Sequence, residues 1–266
     1  MLSGRYSRKL ILLVIFAMAV VPLLDALQFW ERGRGRRRSL DSFTDPNERA
    51  EFFFTRLLYS GERGYRSRGG WATDFPDAEY HFMQGVRRLT TVDAGESARI
   101  YRPLDDELFD YPWLYAVEVG GWYLDEQEAE RMREYLLRGG FLMVDDFHGT
   151  YEWSAFMESM RRVFPDRPVI DIQTSDPIFQ VPYVLDQRIQ VPGIQYLRSG
   201  VTYEDDGYTP HWRAILDDDG RVMVAINFNM DLGDAWEHAD TPQYPENMTA
   251  LAYRFGINYI IYAMTH

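Results

Sequence analysis

The chain has 266 residues, no cysteine and a single lysine, Lys9. The lack of thiols excludes a cysteine nucleophile, disulfides and thiolate metal sites, and nothing after Lys9 supplies an amine for a Schiff base or a P-loop. A hydrophobic content of 46% excludes a disordered chain. Any catalysis must therefore use carboxylate, imidazole, hydroxyl or guanidinium groups.

Positive charge is concentrated at the start of the chain. Residues 1–38 carry eight basic and two acidic side chains, so the rest has a net charge of about −19, given −13 for the whole chain. Such a surface repels polyanions, and the arginine-rich stretch at 32–38 lacks the interleaved aromatic residues of a nucleic-acid groove. We expect no nucleic-acid partner. We interpret the stretch as a solvated linker that can also contact anionic lipid headgroups.

Residues 1–28 are typical of a targeting segment. Arg5, Arg8 and Lys9 precede an uncharged apolar run at 10–24, whose length suits a secretory signal better than a membrane-spanning helix. The following arginines oppose translocation, so an uncleaved anchor stays open beside a cleaved signal, with a cytoplasmic location least favoured. We predict an exported protein, periplasmic or extracellular, with a Gly/Arg-rich linker at 29–47 and one domain at 48–266.

Strand and helix patterns alternate along this domain. The aromatic run at 52–59 predicts a buried strand. After Pro76, apolar residues spaced by four, four and three predict a helix, and a short strand is expected at 99–101.

The clearest unit spans residues 113–144. A strand at 113–119 is followed by Asp125 as N-cap, an amphipathic helix, and Gly139 as C-cap. The all-apolar strand at 141–144 predicts burial on both faces, as in a parallel sheet, joined through a right-handed crossover.

The remaining pattern predicts a helix that ends at Pro165, a strand at 169–172, a β-hairpin and a last helix at about 246–264. The hairpin turn is the acidic run that ends at Gly220. The fold class is therefore α/β: an open, mostly parallel sheet flanked by helices, with a β-hairpin near the C-terminus.

Asp145, Asp146 and His148 directly follow the strand at 141–144. Ligands bind outside the carboxyl ends of parallel strands, so these residues are candidate catalytic groups. They suit acid–base chemistry or coordination of a divalent cation, and no other cofactor is indicated. A structural role, with the carboxylates accepting from loop amides, is the alternative.

Other polar and aromatic side chains are candidates for ligand binding, with a structural alternative for each. Asp74 equally suits an N-cap, and the segment 227–238 resembles a cation loop in composition but lacks EF-hand spacing. Several tryptophans suit the faces of a saccharide or, equally, the core. The candidates are Asp74, Asp77, His81, Trp122, Asp231, Asp234 and His238. Arg63, Arg66 and Arg68 suit either a carboxylate or phosphate clamp or pairing with the acidic surface.

Several segments together resemble a bacterial family of domains of unknown function, whose fold is similar to class I glutamine amidotransferases. They are GWATDFPD at 70–77, GGWYL at 120–124, RGGFLMVDDF at 138–147, PIF at 177–179, and the segments 227–238 and 253–266. The resemblance implies a flavodoxin-like sheet. The amidotransferase relatives use a cysteine at a strand-to-helix elbow, so their activity does not carry over to this cysteine-free chain.

Three functions stay open from the sequence. The first is a cell-envelope domain that binds a small polar ligand, such as a saccharide, in the strand-end crevice. The second is a hydrolase that uses Asp145, Asp146 and His148, with or without a metal. The third is a structural partner of another envelope protein.

Overall fold

The computed structural model describes residues 44–61 and 70–266. The predicted targeting segment, most of the predicted linker and the three arginines at 63, 66 and 68 lie outside the described residues. The export and linker assignments therefore stay predictions. None of the described helices is long and apolar enough to cross a membrane.

Nine strands occur in the described residues. In chain order they are β1 (Thr55–Leu57), β2 (Ser60–Gly61), β3 (Arg99–Tyr101), β4 (Trp113–Val117), β5 (Trp122–Tyr123), β6 (Phe141–Asp145), β7 (Ile170–Asp171), β8 (His211–Leu216) and β9 (Val222–Phe228). Seven form the main sheet in the order β3-β1-β4-β6-β9-β8-β7, while β2 and β5 pair separately.

The main sheet is parallel from β3 to β9 and antiparallel at β8 and β7. Counted in chain order, the five parallel strands lie in the order 2-1-3-4-5, the order of flavodoxin-like sheets. The predicted open, mostly parallel sheet and the β8–β9 hairpin are confirmed. The carboxyl ends of β4, β6 and β9 lie side by side at one edge of the sheet.

Helices cover both faces of this sheet. They are α1 (Asp77–Leu89), α2 (Glu126–Leu137), α3 (Gly149–Val163), α4 (Tyr196–Ser199), α5 (Leu232–Glu237) and α6 (Glu246–Thr265). Side chains of α1, α5 and α6 share one core cluster with Phe141 and Met143, and those of α2 and α3 share another with Leu142 and Val144. Strand β6 is therefore buried on both faces, as its all-apolar sequence predicts.

The predicted β4–α2–β6 unit is confirmed. Strands β4 and β6 pair in parallel from Trp113 to Val117, and α2 begins with a capping box. The Asp125 carboxylate accepts from the Glu128 N–H at 2.9 Å, and the Glu128 carboxylate accepts from the Asp125 N–H at 3.1 Å. Two backbone donors that the helix leaves unpaired are thereby satisfied.

Three strand predictions are too long and one capping interpretation is wrong. The strand expected at 169–172 is regular only in β7. The strand expected at 52–59 is regular only in β1, and the one expected at 113–119 ends at Val117 because Glu118 is left-handed (φ 54°). Helix α1 follows Pro76, and no side chain caps it. The Asp74 carbonyl accepts from the Ala78 N–H at 3.0 Å, so the backbone of Asp74, and not its carboxylate, serves the start of α1.

Most of residues 173–210 form an irregular segment that crosses the carboxyl edge of the sheet. Gln190 ties this segment down, because its side-chain amide donates to the carbonyls of Gly207 and Asn229 at 2.9 Å each. Asn229 in turn donates through its side chain to the Thr209 carbonyl at 2.7 Å. The segment therefore forms one wall beside the ends of β6 and β9.

Candidate functional site

Each of the three central strand ends is followed by a left-handed residue other than glycine. Glu118 follows β4, Asp146 follows β6 (φ 52°) and Asn229 follows β9 (φ 62°). This conformation is strained for residues with a Cβ and recurs at functional sites. Backbone bonds hold it: the Asp146 N–H donates to the Met230 carbonyl at 3.1 Å. The three side chains thus start from fixed points on one edge.

Asp145, the last residue of β6, is fully buried. Its Oδ2 accepts from the backbone N–H groups of Leu232 and Gly233 at 2.8 and 2.9 Å, and from the Tyr115 hydroxyl at 3.2 Å. Its Oδ1 has no hydrogen-bond partner. Burial raises the pKa of Asp145 to about 7, even though these donors favour the charged form. One oxygen therefore anchors the start of α5, and the other is unused.

Four more aspartates lie around Asp145, and together the five residues form what we call the acidic cluster: Asp74, Asp145, Asp146, Asp231 and Asp234. Carboxylate oxygens of Asp74, Asp146 and Asp231 lie within 4.8 Å of one another. Asp231 also caps α5, because its Oδ1 accepts from the Asp234 N–H at 2.8 Å. Oδ2 of Asp74 is buried and has no hydrogen-bond partner.

Glycines allow these side chains to approach one another. A Cβ on Gly233 would collide with Oδ2 of Asp74 and lie 2.7 Å from the Tyr115 hydroxyl. A Cβ on Gly193 would lie 2.5 Å from Oδ2 of Asp231. Each glycine therefore leaves room that the cluster fills.

The cluster is electrostatically unfavourable when its carboxyls are ionised. Burial raises the pKa of Asp146 well above its usual range, and the nearby carboxylates of Glu118 and Asp74 raise it further. Burial likewise raises the pKa of Asp231, and its strongest charged neighbour is Asp146. Such groups either keep their protons near neutral pH or need a cation.

His148 lies at the other side of Asp146. Its Nε2 is 3.2 Å from Oδ1 of Asp146 and 3.9 Å from Oε1 of Glu204, and its Nδ1 has no hydrogen-bond partner. Only 5% of the residue is exposed, and burial lowers its pKa to about 4. Glu204 is positioned by Gln195, whose side chain donates to Oε1 at 2.7 Å. A neutral imidazole thus faces two carboxyl groups.

Three exposed tyrosines, which we call the tyrosine rim, lie next to this edge: Tyr151, Tyr203 and Tyr208. They are 69%, 40% and 65% exposed, respectively. Tyr203 and Tyr208 flank Glu204 in sequence, and their ring centroids are 4.7 Å apart. Asp206 holds this turn against the start of α3, since its carboxylate accepts from the Thr150 N–H at 2.7 Å.

The structure brings together most of the residues expected to form a site. His238 contacts the cluster at its margin, with its Nε2 at 3.6 Å from Oδ1 of Asp234. Burial raises the pKa of Glu237 to about 8, and the charges of Asp234 and Asp77 raise it further. Asp77 and His238 therefore flank the acidic cluster.

Trp122 and His81 lie apart from the acidic cluster. The Trp122 indole is 3% exposed, stacks on Phe156 and donates to the Phe156 carbonyl, so it has no face to offer a ligand. Nδ1 of His81 lies 3.1 and 3.0 Å from the carbonyls of Trp236 and Glu237. Its ring borders an open groove of about 520 Å³ between α1 and α6.

Residues 54–264 match the family described as Domain of unknown function (DUF4159). The match covers well over half of the chain and every residue of the acidic cluster. The chain belongs to this family. No curated protein matches the DUF4159 chain detectably.

Some residues at this DUF4159 site were not singled out from the sequence. Glu204 comes from the irregular segment, where an acidic run that ends at Gly207 was the only signal. Tyr115 lies in an apolar strand, where the sequence suggests only a core residue. Its role as a hydrogen-bond donor to Asp145 follows from the structure. Glu118 was expected inside a strand.

Proposed function

We propose that this domain binds a small, hydroxyl-rich ligand of the saccharide class at the acidic cluster, in the cell envelope. The observation that carries the proposal is that buried carboxyls converge at the strand ends beside the exposed tyrosine rim. Carboxyl groups whose pKa values are raised can both donate to and accept from ligand hydroxyls. Aromatic rings supply the apolar faces on which sugar rings stack.

The topology supports the position of this ligand. In doubly wound sheets the binding crevice lies outside the carboxyl ends of the strands near the reversal of strand order, which is here between β1 and β4. The acidic cluster adjoins that point because Asp145 accepts from the hydroxyl of Tyr115 on β4. We propose on the same topology that the fold is related to class I glutamine amidotransferases, without their cysteine chemistry.

The envelope location rests on the N-terminal sequence. A basic start followed by the apolar run at 10–24 favours export or N-terminal anchoring. A saccharide ligand agrees with that location, because envelope polymers are rich in sugars.

Calorimetric titration of the full-length chain with the β-1,4-linked dimer of N-acetylglucosamine tests the proposal. We expect Asp146→Asn to weaken binding by about two- to tenfold, since a hydrogen bond between neutral groups contributes about 0.5–1.5 kcal/mol. Tyr208→Ala should weaken it about three- to tenfold through lost stacking.

Two matched variants serve as controls. Asp219→Asn changes an exposed aspartate in the β8–β9 turn, at the opposite edge of the sheet, and Tyr123→Ala removes an exposed ring on β5. Both should bind as the unaltered chain does. Equal affinity of Asp146→Asn and Asp219→Asn would reject the acidic cluster as the binding site.

A hydrolase is the second candidate, and the Asp146–His148 pair favours it. A buried carboxyl with a raised pKa lies 3.2 Å from an imidazole with a lowered pKa, an arrangement that can exchange a proton with a bound substrate. Release of nitrophenol from nitrophenyl glycosides, abolished in His148→Gln and kept in His266→Gln, would distinguish hydrolysis from binding alone.

A further inference from the structure

Two sets of side chains with the spacing of cation ligands share one residue. Asp146, His148 and Glu204 form the first set, and Asp74, Asp146 and Asp231 form the second, with ligand atoms within 4.8 Å of one another in each set. Two ligand atoms at about 2.1 Å from one ion lie up to about 4 Å apart. Each set therefore needs only a small contraction to coordinate an ion.

The first set contains a buried imidazole whose Nε2 faces both carboxylates. His148 is 95% buried, and its Nε2 faces Asp146 and Glu204, while its Nδ1 lacks a partner. Imidazole binds metal through a ring nitrogen in its neutral form. The side chain of Glu204 is 40% exposed, so the first set can be reached by solvent and by a ligand.

The second set lies beside another unused buried atom. Asp145 is fully buried with Oδ1 unpartnered, and Oδ2 of Asp74 is also without a partner. The strongest charges acting on Asp146 and Asp231 are other carboxylates. Buried carboxylates of this kind are stabilised when they coordinate a cation.

We propose that Asp146 bridges two divalent cations, one on each set of ligands. Imidazole with carboxylates suits a first-row transition ion, and an all-carboxylate position suits an ion that prefers oxygen. Mn²⁺ meets both preferences. The third cation-like set, Asp234, Glu237 and His238, has no buried atom without a hydrogen-bond partner and is not included.

This inference rests on the proposed function in one respect: the two cations lie where the saccharide is proposed to bind. An exposed cation with free coordination positions can take vicinal hydroxyls of a sugar as ligands. The ligand class is then a sugar with neighbouring hydroxyl groups, bound through the metal pair as well as through the tyrosine rim.

Titration of the chelator-treated, full-length chain with Mn²⁺, followed by electron paramagnetic resonance, tests the pair. We expect two equivalents bound with a spin-coupled spectrum, because a shared carboxylate places the ions close together. His148→Gln and Asp231→Asn should each bind one equivalent and lose the coupling. Asp146→Asn should lose both ions or bind each at least tenfold more weakly.

Asp219→Asn and His266→Gln are the matched controls and should bind two coupled equivalents. Circular dichroism shows whether each variant is folded. If His148→Gln does not fold, Glu204→Gln tests the first set instead, because its position is partly exposed. Fewer than two equivalents in the unaltered chain, or an unchanged spectrum in Asp146→Asn, would overturn the bridged pair.

Saccharide titration with excess chelator and with Mn²⁺ separates this inference from the proposed function. Binding of two Mn²⁺ ions without any saccharide binding supports the pair and rejects the proposed function. Saccharide binding that is equal in chelator and in Mn²⁺, with no ion bound, supports the function and rejects the pair.

Discussion

Asp145 links the end of β6 to the start of α5 through three hydrogen bonds to a single oxygen. An asparagine can accept the same bonds through its amide oxygen, but it cannot ionise. The substitution Asp145→Asn therefore removes the charge of the side chain and keeps its hydrogen bonds.

We predict that Asp145→Asn changes how stability depends on pH. The pKa of Asp145 is about 7 in the folded chain and about 3.8 when exposed. Between these values the unfolded chain has released the proton and the folded chain has kept it, so rising pH destabilises the fold, by an amount on the order of 4 kcal/mol for this group. Relative to the unaltered chain, the variant should therefore gain stability from pH 5 to pH 8.

Urea unfolding in the presence of chelator at both pH values measures this difference. Asp219→Asn should show no relative change, because Asp219 is exposed in a turn. His148 titrates with the opposite sign, since its lowered pKa makes stability fall as the pH drops from about 6.5 to about 4, but this contribution is common to all three chains. A constant difference between Asp145→Asn and the unaltered chain would contradict the prediction.

At the scale of elements, α2 and β6 contribute to stability by different physical means. The Asp125 carboxylate satisfies one backbone donor at an exposed helix end, whereas Leu142 is fully buried among side chains of α2 and α3. The cost of losing a cap is bounded by one hydrogen bond, but truncation in a packed core also leaves a cavity.

We expect Asp125→Ala to lower the free energy of unfolding by about 1 kcal/mol. Leu142→Ala should lower it by about 2–5 kcal/mol. Denaturant unfolding of the full-length chain at one pH gives both values, with Leu137→Ala as a control because Leu137 is half exposed at the end of α2. Small and equal losses for Asp125→Ala and Leu142→Ala would contradict a central position for β6.

The sequence predicts elements whose pattern is local. The all-apolar run of β6, the capping residues of α2 and the turn before β9 each determine their own structure within a few residues, and all three are confirmed. The ends of β4 and the role of Asp74 were not predictable in this way. Glu118 and Asp74 adopt left-handed conformations, and the Glu118 N–H donates to the carbonyl of Asp145 on the neighbouring strand.

The same distinction applies to the site. Asp145, Asp146 and His148 were recognisable because they follow a strand whose position in the sheet is set by its own sequence. Glu204 reaches His148 because Gln190 fixes the irregular segment to Asn229 and Asp206 fixes it to the start of α3. No spacing in the sequence records such a contact.

At the scale of the whole molecule, charge divides the chain into two parts. Residues 39–266 carry about −19 and residues 1–38 carry +6. A basic N-terminal segment is attracted to an anionic membrane surface, and an acidic domain is repelled by it. This division suits a domain delivered across a membrane or tethered away from it.

Delivery across a membrane is tested with a reporter fusion. A reporter enzyme that needs disulfides for activity, fused after residue 45, should be active, because disulfides form outside the reducing cytoplasm. The same fusion without the apolar run at 10–24 is the control and should be inactive, since that run is what the export machinery recognises. Full-length product in the membrane fraction would indicate an uncleaved anchor, and shortened soluble product a cleaved signal. An inactive reporter in the complete fusion, with the protein stable in the cytoplasm, would contradict export and with it the envelope location of the proposed saccharide site.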